Sequence, residues 1–392
     1  MQIRSIKSAK EIEQVKSLWD YCFDKQDTPF FKWYFSQYCP EQNLVLGAFV
    51  EDDLAGMLHL NPYTISLNGH KIDTSYIVGV ATSPLHRRKG VLKKLLASSL
   101  AQMQEKKQSL AILMPSAIGV YMPYGFSFCY QQLRYDMPII DLLGHFSHTE
   151  KFVFALAQPT DYSLLAEIYN KAMANYNGFV TRTKTNWANL LTEFAAEGGY
   201  ILTAQKDGKY LGYMLYLLEG NTFKIMELVC LDEEVKKAFL SYASQHFSQC
   251  DKVFWQTPQD DLTYLSFKTN KYYPSIWPFM AARIIDPIKA LDDIKFVMTD
   301  NEAINIQITD ALLEENNAVF KITTKNNQAC MQKIAEQPDL KMDISTLAQV
   351  YFSAYRVKDL YKAGKIEVYN TGSLNLLDNI FTPQTNYINE YF

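Results

Sequence analysis

Long apolar runs are what this sequence most plainly lacks. The longest, Leu44 to Val50 and Ile276 to Ala282, fall far short of the roughly 20 residues that a membrane helix needs, so no membrane partner is expected. The N-terminus, Met1 to Lys7, leads into a charged amphipathic stretch rather than the apolar core of a signal peptide. Paired cysteines are missing too. Cys22, Cys39, Cys129, Cys230, Cys250 and Cys330 are scattered with no CxxC among them, which argues against a zinc or disulfide framework and for reduced, mostly buried thiols in a cytoplasmic protein. There is no basic excess: a net charge of −4 supplies no domain-wide positive field for a nucleic-acid partner. Low-complexity segments and short repeats are absent as well.

What the chain does have is size and apolar content. At 392 residues, 48% of them hydrophobic, it is too long for one ordinary core and suits two or three domains. The first third alternates helices and strands. Ile12, Val15, Leu18, Trp19 and Cys22 recur at helical spacing within residues 9–22, and a second short helix is expected over 30–35. Strands are expected over 43–51, 54–67 and 70–82, with a tight reversal at Asp52-Asp53 and a hairpin at Asn68-Gly69. Pro84 stops the third strand, helical periodicity returns from Gly90 to Lys106, and short strands follow at 110–114 and near 128–138.

Residues 145–150 read as a linker. A second α/β section follows, with helices over 161–175 and 184–196 and strands over 200–206, 210–219 and 223–231. Asp232 then caps a helix running to about residue 247, and a strand follows over 253–256. From about Asp286 the pattern changes to alternating strands at 294–299, 303–309 and 318–325. A helix begins at Ser345, and another, over 357–362, is closed by Gly364 at C′.

The most informative stretch is Val78-Gly79-Val80-Ala81-Thr82-Ser83-Pro84-Leu85-His86-Arg87-Arg88-Lys89-Gly90-Val91-Leu92. An apolar strand ends at a proline, a basic turn follows, and a glycine opens a helix. The first N–H groups of a helix lack intrahelical partners and sit at the positive end of its dipole. Basic residues are unfavourable there, so three in a row call for an anion or a distant partner. A pyrophosphate meets that need: Gly90 permits close backbone approach, and Arg88 and Lys89 add charge-assisted contacts. The plain alternative is an ordinary basic helix start.

This segment resembles the acetyl-CoA motif of the GNAT superfamily, Arg/Gln-x-x-Gly-x-Gly/Ala, with Leu92 in place of the usual last small residue. Preceded by Val-Ala-Thr-Ser-Pro, it is similar to the enhanced-intracellular-survival (Eis) branch. The resemblance implies an α/β (α+β) fold of tandem GNAT-like domains, with mixed sheets flanked by helices, plus a sterol-carrier-protein-like α+β domain. The expected limits are a catalytic domain over 1–148, a degenerate second GNAT-like domain over 149–285 and the sterol-carrier-like domain over 286–392. By the same resemblance Val80, Ala81 and Thr82 lie along the pantetheine arm. Arg88, Lys89, Gly90, Val91, Leu92 and Lys93 wrap the pyrophosphate, and Ser116 and Ala117 supply a further acetyl-CoA contact.

Within Ile118 to Phe126, Tyr121 matches the family's general acid, and Tyr124 falls on its phenylalanine position. A tyrosine with a pKa of about 10 is protonated at neutral pH and can donate to a departing thiolate. The other reading is a packing tyrosine, in a chain that has 26 of them. In the Eis branch the base is the C-terminal carboxylate, which the resemblance carries to Phe392. The competing reading is a structural or frayed tail.

Three further signals carry less. His145 and His148 have no nearby partner to complete a metal site, and no metal is expected. His86 sits in the basic turn as an electrostatic or structural group. Asp20, Asp24 and Asp27 line an amine pocket by resemblance, or form a solvated helix face. The expected activity is direct acetyl transfer from acetyl-CoA, as co-substrate, to an amine: a small polyamine, an aminoglycoside-like compound or a protein lysine. The rival is a lipid- or acyl-CoA-binding carrier with a vestigial first domain. A homo-oligomer such as the family's hexamers is expected; the acceptor amine cannot be read from the sequence.

Overall fold

The computed structural model describes residues 1–146, 151–292, 302–325 and 328–391. Contacts between Cα atoms divide the chain into two compact units. The first comprises residues 1–130, 178–181 and 279–392, and the second residues 131–177 and 182–278.

The first unit begins with strand β1 (Gln2–Ser5) and helix α1 (Ala9–Cys22). Ser8 and Glu11 form a reciprocal capping box that satisfies two orphan N–H groups. Arg4 pairs with the same glutamate. Val15, Leu18 and Trp19 are the buried face of α1. The second helix starts slightly earlier than its periodicity suggests: Thr28 caps α2 (Pro29–Trp33), with Pro29 at the position where a missing N–H is harmless. It does not stop at residue 35. The chain passes through a π-turn (Tyr34–Tyr38) into α3 (Cys39–Gln42), with Tyr34, Phe35 and Tyr38 buried. A π-turn is set by packing rather than by a three-to-four residue repeat.

β2 (Leu44–Val50), β3 (Asp53–Leu67) and β4 (His70–Thr82) form an antiparallel meander. Asn68 and Gly69 both take positive φ, 52° and 78°, as a type I′ hairpin requires. β4 is followed by α4 (Val91–Glu105), whose Val91, Leu95, Leu96, Leu100 and Met103 are buried, and by β5 (Leu110–Leu113), which pairs parallel with β4. On the other side of β5 lies Ser275–Ile284, antiparallel through Ala281–Ile284. Phe179–Val180 adds to the edge of β3.

The same unit holds a five-stranded sheet in the order Gln328–Ile334, Ala318–Lys325, Ala303–Thr309, Leu340–Asp343, Ile366–Val368. Helices Ile344–Tyr351, Val357–Lys362 and Thr371–Ile380 pack into its core. The first of these begins at Ile344, one residue before the expected Ser345, with Asp343 as its cap. Gly364 takes φ 73° and donates to the Tyr361 carbonyl, as a C′ glycine does. The expected strand over 294–299 falls wholly outside the described residues, as do residues 147–150 of the expected linker over 145–150.

In the second unit the strand order is Ser127–Pro138, Lys252–Pro258, Thr222–Cys230, Lys209–Glu219, Tyr200–Lys206, Val153–Leu156. Helices Tyr162–Met173, Lys184–Ala196 and Glu233–Ser244 accompany it. Inside, Arg182 and Glu227 form a bidentate ion pair at 2.8 and 2.6 Å, with Arg182 also over the rings of Tyr169 and Trp187.

No helix of the described residues is long and apolar enough to cross a membrane. All six cysteines are free thiols, but only Cys129 and Cys250 are buried; Cys330 is exposed. Cys22, Cys39 and Cys230 are half-buried against the cores, so the expectation of mostly buried thiols holds fully for two and partly for three.

Candidate active site

β4 departs from regular pairing where the site begins. Met57 faces Ala81 and His59 faces Val78, so β4 carries one extra residue there. Gly79 absorbs this bulge at φ 58°. A Cβ on Gly79 would lie 2.4 Å from the Trp19 ring, so glycine is required both by conformation and by the close approach of α1. β4 pairs with β5 only through Ser75–Ala111 and Tyr76–Ile112. β4 then runs on through Val80, Ala81 and Thr82 while β5 ends at Leu113.

The basic turn follows. Ser83 donates to the Ala55 carbonyl at 2.9 Å, and Pro84–His86 makes a single 3₁₀ turn. Arg88 has φ 61° and Gly90, the N-cap of α4, has φ 76°. No side chain caps α4, and its first turn holds no acidic residue. Arg87, Arg88, Lys89 and Lys93 are exposed, and among the described residues none of them makes an ion pair. Uncapped N–H groups, the positive dipole end and unneutralised cations fit an anionic phosphate group. The equivalent turn of the second unit does not. There Asp232 caps the helix through the Val235 N–H, and Glu233 and Glu234 occupy the first turn.

Ser116 and Ala117 are exposed just beyond β5. Two 3₁₀ turns follow, Ile118–Val120 and Met122–Tyr124, with Tyr121 between them. Tyr121 is half-buried, and burial pushes its pKa up to about 12. Its ring stands edge-on to Phe126 at 6.2 Å. The structure therefore brings the expected cofactor residues and Tyr121 to the same ends of two parallel strands, β4 and β5.

Of the three acidic residues near α1, Asp20 accepts from the Gln26 N–H at 2.9 Å and pairs with Lys25. The Gln26 bond chiefly lowers its pKa. It closes the loop after α1, while Asp24 and Asp27 are exposed. His145 belongs to the second unit, where its ring packs on Phe267 at 5.4 Å, and His148 lies outside the described residues.

Phe392 also lies outside the described residues, but the segment leading to it does not. Tyr387, Ile388, Asn389 and Glu390 are all buried. Asn386 donates to the carbonyls of Cys129 (2.9 Å) and Phe352 (2.8 Å), and the Tyr391 ring meets Phe279 at 5.2 Å. This segment is tied down rather than frayed. Besides burial, the charge of Glu390 raises the pKa values of Tyr38 and Tyr76, so the carboxylate stands close to both phenols.

One cluster escaped the sequence reading. His59 and Asn61 face inward from β3 and are fully buried. The Tyr34 hydroxyl meets His59 Nδ1 at 2.9 Å, and Asn43 donates to Tyr34 (2.8 Å) and Asn61 (3.2 Å). Among the described residues His59 Nε2 has no hydrogen-bond partner, and burial pulls the histidine pKa down to about 3. The signal was available: two polar residues alternate within the apolar run Met57-Leu58-His59-Leu60-Asn61.

Comparison with known proteins places domain families along the chain. A family model described as an acetyltransferase (GNAT) domain matches residues 2–129, and a second of the same description matches 178–284. A model for a sterol carrier protein domain matches 288–389. An uncharacterized N-acetyltransferase of Streptomyces griseus is 21% identical over 341 residues, covering 80% of each chain. Among solved structures, a conserved protein of unknown function from Enterococcus faecalis has a TM-score of 0.88 at 20% identity, covering 100% of this chain and 99% of that one. Eis1 from Mycobacterium abscessus has a TM-score of 0.76 at 19% identity, covering 100% of each chain. These two likenesses establish a shared fold. The matched domains make this chain a GNAT-type N-acetyltransferase in which two acetyltransferase domains precede a sterol carrier protein domain.

Proposed function

We propose that the chain transfers an acetyl group from acetyl-CoA directly to an amine in a ternary complex. The observation that carries this reading is the start of α4: a left-handed, uncapped Gly90 beside three cations without ion pairs. Arg88 to Lys93 would hold the pyrophosphate. Val80 to Thr82, running on past the β4–β5 ladder, would pair with the pantetheine amides, and Ser116 and Ala117 would flank the arm. Acetyl-CoA supplies the activated acetyl group as a thioester. The amine nitrogen bonds to the acetyl carbon, the C–S bond breaks, and the thiol leaves.

Tyr121 has the role of hydrogen-bond donor to the departing sulfur. With a pKa near 12 against about 8.5 for an ordinary thiol, complete proton transfer to a free thiolate would be uphill by roughly 5 kcal/mol. The phenol therefore stabilises developing charge, and the proton that finally rests on sulfur comes from the attacking nitrogen. The base that relays this proton is proposed to be the carboxylate of Phe392, with the buried 386–390 segment leading to it.

The proposed domain limits are 1–148, 149–285 and 286–392, and the working form is proposed to be a homo-oligomer. The acceptor is a small polyamine, an aminoglycoside-like amine or a protein lysine. The test is thiol release from acetyl-CoA by the full-length protein across a panel of such amines. Amine-dependent release supports the reading. Tight binding of an apolar ligand with no turnover on any amine would replace it with a carrier function.

A further inference from the structure

Arg283 lies on Ser275–Ile284 opposite Ala111 of β5 and is fully buried. Its guanidinium reaches two ways. Nη2 donates to Asp310 Oδ2 at 2.5 Å, and Nη1 donates to the carbonyl of Tyr124. Asp310 is itself fixed by the N–H groups of Leu312 (2.9 Å) and Leu313 (3.1 Å) and by Asn316 Nδ2 (2.9 Å). Burial pushes the Asp310 carboxyl up, but the Arg283 charge and these bonds outweigh it and hold its pKa below the usual value.

A buried ion pair is a poor stabilising device, because desolvation consumes most of its attraction and an apolar replacement is often as stable. The carbonyl it grips suggests another use. The Tyr124 N–H donates to the Tyr121 carbonyl at 2.9 Å, and the Tyr121 N–H donates to the Ile118 carbonyl at 2.8 Å. Arg283 thus holds the far end of two consecutive turns with Tyr121 at their junction. Gly125, at φ 81°, leaves room for this grip: a Cβ there would lie 2.1 Å from Arg283 Nη1 and 2.5 Å from Ile344 Cγ2. Phe126, beside Tyr121, is completely buried.

We propose that Arg283, anchored by Asp310, is a positioning residue for Tyr121, fixing the Ile118–Tyr124 turns so that the phenol faces the departing sulfur. The proposal rests on Tyr121 being the donor described above. It also gives the C-terminal third of the chain a part in the chemistry, since Asp310 lies beyond Ala303–Thr309.

The test is a double-mutant cycle on the full-length protein between Arg283→Lys and Tyr121→Phe, reading kcat, KM for acetyl-CoA and thermal unfolding. A misplacement on the order of 1 Å can lower a rate by up to about a hundredfold, and we expect Arg283→Lys to lower kcat about tenfold with KM little changed. Adding it to Tyr121→Phe should slow the enzyme no further. Full additivity would overturn the proposal, as would unchanged kcat in Arg283→Lys when Tyr121→Phe is slow. If Tyr121→Phe is itself fully active, the donor reading fails, and the positioning role fails with it. If Arg283→Lys does not fold, Asn316→Ala, which keeps both charges and loosens Asp310, takes its place in the same cycle. A fall of about threefold in kcat, absent in the Tyr121→Phe background, supports the role; an equal fall in both backgrounds overturns it.

Discussion

The hydroxyl of Tyr76 lies 3.5 Å from the carbonyl oxygen of Glu390, a residue 314 positions further along the chain. Tyr76 is the last β4 residue in the ladder with β5. The segment at Glu390 therefore runs beside the strand on which the proposed cofactor site is built.

Because Asn386 ties that segment to the Cys129 and Phe352 carbonyls, Asn386→Ala leaves two buried acceptors without their donor. The expected loss is about 1–3 kcal/mol of stability, seen as a lower urea midpoint, with kcat falling while KM for acetyl-CoA stays nearly constant. Residues appended after Phe392 should abolish turnover without lowering the unfolding temperature. A tagged form with full activity would rule out the terminal carboxylate as base.

Tyr121→Phe removes only the hydroxyl and keeps the contact with Phe126. Removing one hydrogen-bond donor to developing charge costs about 10²–10³ in rate, and the expected kcat loss lies near the lower end. Acetyl-CoA affinity, measured by calorimetry, should not change. Equal kcat in the two proteins would take Tyr121 out of the mechanism.

Arg88 holds a left-handed backbone at φ 61°, which costs a non-glycine residue about 1–2 kcal/mol. Arg88→Gly relieves that strain and removes the charge. The unfolding temperature should rise by roughly 2 °C while KM for acetyl-CoA rises several-fold. A fall in the unfolding temperature with KM unchanged would mean that the arginine serves the fold rather than the ligand.

His59 supplies a pH dependence with a defined sign. Burial lowers its pKa to about 3 in the folded protein, against about 6.5 unfolded. The unfolded chain then binds one more proton, so the stabilisation present above pH 6.5 declines as the pH falls toward 3. Relative to His59→Gln, the native protein should lose about 1.4 kcal/mol per pH unit across that window, measured by urea unfolding at pH 7, 6, 5 and 4. A constant difference would show that the histidine is not buried neutral.

Much of this was readable before folding, and for a local reason. The turn from Val78 to Leu92 forms within fifteen residues, so its proline, its glycine and its charges report directly on backbone conformation and dipole. The Asn68–Gly69 hairpin and the Gly364 cap were legible on the same grounds. Arg88's left-handed conformation was not, because an arginine carries no signal for it. The π-turn at Tyr34–Tyr38 and the helix Thr371–Ile380 depend on packing that a short window does not contain.

Local geometry, then, was determined by the sequence alone: it showed which turn could receive a pyrophosphate, while the choice of Tyr121 came from the family resemblance. Tertiary structure decided what surrounds them. It set Ser275–Ile284 beside β5, carried Arg283 to the Tyr124 carbonyl and Asp310 to Arg283, and laid Glu390 against Tyr76. Each of these contacts joins residues far apart in the chain and follows from burial and hydrogen-bond satisfaction in a shared core, which no local sequence pattern encodes.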